Sequence, residues 1–159
     1  MPTENLRSLI GTPTTKVGTF LFEFATPGIG QILKAAGADF AVLDMEHTGF
    51  GFETVRQVVR YCQAAMLPLV VRVPSQQRHH ISRALDTGAD GVMVPIVSSV
   101  EQATIAAAKK HGKSVGRLSV DARQGAAFAA MGYDFVSIAG DVWLLQQAFA
   151  AGIATVRKG

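Results

Sequence analysis

The sequence predicts an α/β fold built on a parallel sheet, and three observations carry that prediction. Apolar strand-like runs alternate with helical periodicities along the whole chain. A glycine followed two residues later by aspartate recurs between a helix and the next strand, as Gly37-Ala38-Asp39, Gly88-Ala89-Asp90 and Gly132-Tyr133-Asp134. The run Phe40-Ala41-Val42-Leu43 is apolar without alternation, as in a strand covered on both faces, and it stops at Asp44, Glu46 and His47. Helices interposed between such strands imply right-handed crossovers and a parallel sheet. About six βα units fit the 159 residues, whereas an eight-unit barrel typically needs about 250, so the expectation is an open sheet or a shortened, incomplete barrel.

The polar lead-in Gly11 to Lys16 precedes a first strand, Val17 to Phe24. Pro27 to Ala36 has Ile29, Ile32, Leu33 and Ala36 at the spacing of one helical face, and Gly37 ends it. After the strand at Phe40, the positions Phe52, Val55, Val59 and Cys62 define a second amphipathic helix. Pro68 precedes a third strand, Leu69 to Val73, followed by a short helix from about Ile81 to Asp86. Gly91 to Val97 reads as the fourth strand, and Val100, Ala103, Ala106 and Ala107 mark a helix closed by Gly112. Ser114 to Ser119 with a helix from Ala122 to Met131, then Phe135 to Ala139 with a helix from Asp141 to Ala151, complete the order.

With 48% hydrophobic residues and no linker long enough to divide it, the chain is expected to be a single domain over residues 1–159. The net charge of +3 is spread out, with basic clusters only at Arg78-His79-His80 and Lys109-Lys110-His111. That suits a small anionic substrate better than nucleic acid. No apolar leader opens the sequence and no run approaches the ~18 apolar residues of a membrane span, so the expectation is a cytoplasmic protein without a membrane partner. Cys62, the single cysteine, falls on the apolar helix face and is expected in the core.

The carboxyl ends of parallel strands are where α/β folds keep their chemistry, and here they carry Glu23 and Thr26, then Asp44, Glu46 and His47, then Arg72, Pro95 and Asp141. Arg72 ends the apolar run Leu69-Val70-Val71, and its guanidinium suits either a substrate carboxylate held bidentately or a salt bridge to Asp44 or Glu46. His47 suits a general base oriented by a carboxylate such as Asp44, or an ordinary hydrogen-bonded histidine. His79 and His80 sit in a polar stretch beside Arg78 and read as surface residues.

Four separated motifs carry a resemblance. Gly18-Thr19-Phe20, Leu43-Asp44-Met45-Glu46-His47, Val71-Arg72-Val73-Pro74, and Leu85-Asp86-Thr87-Gly88-Ala89 through Gly91-Val92-Met93-Val94-Pro95 resemble the metal-dependent 2-keto-3-deoxy-sugar-acid aldolases of the HpcH/HpaI aldolase and citrate lyase family. The likeness runs from about Val17 to Val100, and Gly132 with Gly140-Asp141-Val142-Trp143 resembles the family's last units. It implies a TIM-barrel-like fold of the phosphoenolpyruvate/pyruvate type, and a lyase that makes or cleaves a C–C bond through a pyruvate enolate.

The same resemblance implies catalytic roles for His47, Asp44 and Arg72, substrate contacts from Arg72, Glu46 and Asp86, and a divalent metal, Mg2+, Mn2+ or Co2+. Arg72 matches the arginine that holds the ketoacid, and Asp86 matches an acidic residue used across a subunit boundary, although a helix-end cap suits Asp86 equally. The family's two metal-binding carboxylates belong to fifth and sixth strands whose motifs are absent here, so no metal ligand is assigned in this chain; Glu23, Glu46 or Asp141 could substitute, but nothing in their spacing argues for it. Two absent strands would leave unpaired edges, and a homo-oligomer is expected to cover them. A shortened, catalytically silent relative that binds a ketoacid or only assembles is the alternative to the lyase.

Overall fold

Every strand-like run named above joins one sheet. The computed structural model of the chain describes residues 6–95, 108 and 110–158. Its elements are α1 (Leu6–Leu9), β1 (Lys16–Leu21), α2 (Ile29–Ala35), β2 (Phe40–Asp44), α3 (Phe52–Ala64), β3 (Leu69–Arg72), α4 (Arg78–Asp86), β4 (Gly91–Met93), β5 (Gly116–Ser119), α5 (Ala122–Met131), β6 (Phe135–Gly140) and α6 (Asp141–Lys158). The strands lie in the order β4-β3-β2-β1-β6-β5 with every pairing parallel, and the sheet curls into a half-barrel. All six carboxyl ends therefore share one rim, as the alternation of elements predicts. Among the described residues β4 and β5 are the two edges, the places where the resemblance anticipates unpaired strands.

The pleat explains why β2 is apolar throughout. Ala41 and Leu43 turn to the helices and pack with Leu21, Leu69, Val71 and the α3 residues Val55, Val58, Val59 and Cys62, while Phe40 and Val42 turn the other way and meet Phe20 and Val70. Each fully buried α3 valine contributes about 1.5–3 kcal/mol to holding that layer. Phe135 and Leu6 of α1 also pack against the inner cluster. Gly30 sets the distance between α2 and α3, because a Cβ there would lie 2.7 Å from the Tyr61 carbonyl oxygen.

The recurring glycine and aspartate have a definite task. Gly37, Gly88 and Gly132 close their helices at φ +89°, +92° and +96°, the left-handed region that favours glycine. Each aspartate then clamps the start of a neighbouring strand at two points. The Asp39, Asp90 and Asp134 amides donate to the carbonyls of Val17, Leu69 and Val115 at 2.8, 2.9 and 2.9 Å. Their Oδ2 atoms accept from the amides of the same three residues at 2.8, 2.9 and 2.9 Å.

Several boundaries move. β1 ends at Leu21, not Phe24, because the amides of Phe22, Glu23 and Phe24 turn to the Asp141 carboxylate instead of a strand. In α2 only Ile29 of the expected face is buried; Ile32 is 63% exposed, since the helix leans on α3 through Ile29 and Gly30. α4 begins at Arg78, which places His79 and His80 in its first turn, with the His80 Nδ1 2.8 Å from Ser75 Oγ. α6 runs past Gly152 to Lys158, its Thr155 hydroxyl donating back to the Ala151 carbonyl at 3.0 Å. One glycine costs a helix about 1 kcal/mol, too little to end a helix of good formers. The helix expected from Val100 to Ala107 and the end of the fourth strand lie outside the described residues.

Candidate active site

Asp44 and Arg72 are register partners at the ends of β2 and β3, so the parallel pleat turns both toward the inner face of the sheet. The Asp44 side chain is fully buried, and each of its oxygens accepts two hydrogen bonds. Oδ1 takes Arg72 Nε at 2.7 Å and the Glu46 amide at 2.9 Å; Oδ2 takes Arg72 Nη2 at 2.7 Å and the His47 amide at 3.2 Å. One carboxylate thus both pins the arginine and turns the chain as it leaves the strand. The Thr48 hydroxyl, donating to the Asp44 carbonyl, tightens the same turn.

That turn brings Glu46 and His47 back to the guanidinium. Glu46 Oε2 lies 3.3 Å from Arg72 Nη1 and 3.4 Å from His47 Nδ1, and the same ring nitrogen is 3.4 Å from Arg72 Nη2 and 3.7 Å from Asp44 Oδ2. The His47 side chain is 60% exposed, so the quartet has a buried floor and a solvent-facing base. Below Arg72, the Phe20 ring lies 4.9 Å from Cζ, stacked on Phe22 at 5.4 Å, and Phe22 meets Trp143 edge-on at 5.2 Å. Sequence reasoning did not assign this aromatic wall to the site. The alternation Phe20-Leu21-Phe22, which puts both rings on the arginine's side, is the signal that would have found it.

The structure gathers Asp44, Glu46, His47 and Arg72 and leaves Asp86 out. Asp86 is exposed in the last turn of α4, the end from which the chain returns to the opposite rim to start β4. Arg72 makes the ion pair weighed as its alternative role, to Asp44 and Glu46 together. Asp141 stands outside the group of donors that could hold an ion among the described residues. Its carboxylate accepts from the amides of Phe22, Glu23, Phe24 and Val142 at 2.8–3.1 Å and braces the loop after β1.

The expectation that the chain lacks carboxylates grouped for a metal is corrected as well. Asp44, Glu46 and His47 each offer one ligand atom, all within 4.8 Å of one another, a set that could hold an ion. Two carboxylates and an imidazole are donors of the right kind for Mn2+, and the carboxylates suit Mg2+. The guanidinium of Arg72 lies within hydrogen-bond reach of all three.

Comparison with known proteins identifies the family of the chain. Residues 17–114 match the model of the HpcH/HpaI aldolase/citrate lyase family. The chain is 33% identical over 136 residues to a hydroxypyruvate/pyruvate aldolase of Paraburkholderia phytofirmans, covering 80% of this chain and 52% of that one. It is 34% identical over 90 residues to a 2-dehydro-3,6-dideoxy-6-sulfogluconate aldolase of Pseudomonas putida, covering 57% and 35%. The chain thus spans about half the length, or less, of these curated relatives. The fold resembles that of an HpcH/HpaI aldolase from Desulfitobacterium hafniense with a TM-score of 0.84 at 19% identity, covering 98% of this chain and 97% of that one. On the family match over residues 17–114, more than half of its length, the chain belongs to the HpcH/HpaI aldolase/citrate lyase family.

Proposed function

We propose that the chain is an aldolase that makes or cleaves the C–C bond of a 2-keto-3-deoxy sugar acid through the enolate of pyruvate. The observation that carries this is the convergence of Asp44, Glu46, His47 and Arg72 at the carboxyl ends of β2 and β3. Arg72 holds the ketoacid carboxylate, Asp44 fixes the guanidinium, and His47, facing solvent beside Glu46, moves the proton. In cleavage, a base takes the proton of the C4 hydroxyl, the C3–C4 bond breaks, and its electron pair passes into the keto group to leave pyruvate enolate and an aldehyde. Protonation at C3 then releases pyruvate. A divalent ion, Mg2+, Mn2+ or Co2+, would supply Lewis-acid polarisation of the keto oxygen, and Asp44, Glu46 and His47 are the residues whose donors would hold it. The alternative of a silent relative gains no support from the named relatives, which are aldolases.

Deuterium exchange into the pyruvate methyl group, followed by NMR with and without Mg2+ or Mn2+, tests the proposal alongside calorimetry with oxalate. Exchange that disappears in His47→Ala while oxalate still binds is the expected result. Oxalate binding with no exchange under any metal would sink the aldolase, and failure to bind at all would leave Arg72 a structural ion-pair partner.

A further inference from the structure

We propose that the junction of β6 and α6, Ala139-Gly140-Asp141, is a positioning device for the site: it seats the Phe22 ring, and through Phe22 and Phe20 it sets where the Arg72 guanidinium lies. The register between β1 and β6 slips at this point. Gly18 pairs with Ser137 but Phe20 with Gly140, so two steps along β1 answer three along β6. The extra residue re-aims the end of β6, as bulges beside functional sites do. Ala139 takes up the turn at φ +46°, a left-handed conformation that a residue with a Cβ rarely adopts.

Two consequences converge on Phe22. The buried Asp141 carboxylate accepts from the amides of Phe22, Glu23 and Phe24 at 3.0, 3.1 and 2.8 Å, which fixes the backbone that carries the ring. Gly140 leaves the room that the ring fills, since a Cβ there would lie 2.5 Å from Phe22 Cε2 and 3.0 Å from the Trp143 ring. Gly140 does not have a positive φ, so it is the ring and not the backbone that excludes a side chain. Phe22 then stacks on Phe20 at 5.4 Å with 16° between their planes, and Phe20, fully buried, lies 4.9 Å from Arg72 Cζ. Asp44 holds one edge of the guanidinium, while the Phe20 face sets its tilt and shields it from water. That this placement serves a ligand rests on the proposed function, in which Arg72 holds a ketoacid carboxylate.

Gly140→Ala, Phe22→Leu and the two together test the inference, with circular dichroism to confirm the fold. Two quantities are read: the Arg72 Nε–H signal in nitrogen-15 NMR without any ligand, and oxalate affinity by calorimetry. Gly140→Ala should move the signal and weaken oxalate binding by about two- to thirtyfold, the span of a cation–π contact from exposed to desolvated. Phe22→Leu should do the same. The double variant should bind oxalate no worse than Phe22→Leu, because the added methyl group no longer meets a ring. A signal left in place by both single variants, or losses that add in the double variant, overturns the proposal. So does a signal that moves while a parent-like affinity for oxalate is kept.

Should Gly140→Ala fail to fold, Asp141→Asn takes its place, since it turns an NH2 group toward amides that themselves donate, and the same two changes are expected. Neither change in Asp141→Asn overturns the proposal. A parent chain that binds no oxalate ends the ketoacid reading of Arg72, and the Nε–H signal then decides the positioning by itself.

Discussion

Asp44 grips Arg72 with both oxygens, at 2.7 Å to Nε and 2.7 Å to Nη2, across two neighbouring strands in exact register. The pair is buried on the acidic side and only 16% exposed on the arginine side, so removing one partner leaves a charge with little water to replace it. Arg72→Ala should lower stability by about 3–5 kcal/mol, the cost of breaking a buried ion pair. Arg72→Lys keeps the charge and loses the fork, and should lower it by about 1.5–3 kcal/mol. Urea denaturation of the three proteins measures both; an Ala variant as stable as the parent would show that the pair is solvated in solution.

Cys62 gives a pH-dependent prediction. It is fully buried on α3, and burial, followed by the nearby Asp90 charge, pushes its thiol from 9.0 to about 12. The folded chain therefore keeps a proton that the unfolded chain releases above pH 9, so stability present below pH 9 falls as pH rises toward 12. At pH 8 the native thiol should resist alkylation and react at the rate of unfolding. Rapid labelling of the folded protein, at the rate of a free thiol, would contradict the packing of α3.

The parts of this fold that were legible in the sequence are those where one residue type has one physical use. The apolar run at Phe40 announced a strand buried on both faces, and each glycine before an aspartate announced a left-handed helix end. The aspartates' real partners were hidden, because Val17, Leu69 and Val115 are strand starts brought alongside only by the sheet order. Among site residues, Asp44, Glu46 and His47 were adjacent in sequence and easy to group, whereas the choice of partner for Arg72 depended on strand register. The task of Asp141 was hidden for the same reason: a carboxylate at a strand end looks available for chemistry until the loop 117 to 119 residues earlier donates its amides to it.

Asp141→Ala should accordingly act on the rim after β1. It leaves the Phe22, Glu23 and Phe24 amides without their acceptor, which should cost about 1–3 kcal/mol. Hydrogen exchange at those three amides should quicken well beyond the change at Val42 in the centre of the sheet. Unchanged protection at residues 22–24 would mean that the brace is replaceable.

The last prediction concerns association. α6 turns Leu145, Phe149, Ile153 and Val156 outward, exposed by 53%, 68%, 41% and 81%, and their spacing of four, four and three residues puts them on one helical face. Such a stripe, with Trp143 51% exposed at its start, is more apolar surface than one helix of a monomer ordinarily offers to water. In a purified sample the available partner is another copy of the chain, and β4 and β5, the edges of the sheet among the described residues, add ladder groups that a second copy can pair. Light scattering at micromolar concentration should therefore give at least twice the 16.8 kDa of one chain. Phe149→Asp with Val156→Lys should shift the mass toward 16.8 kDa while leaving the circular dichroism spectrum in place, because neither side chain is packed within its own chain. A parent chain that is strictly monomeric under these conditions would show that the apolar face of α6 tolerates water and that the edges need no partner.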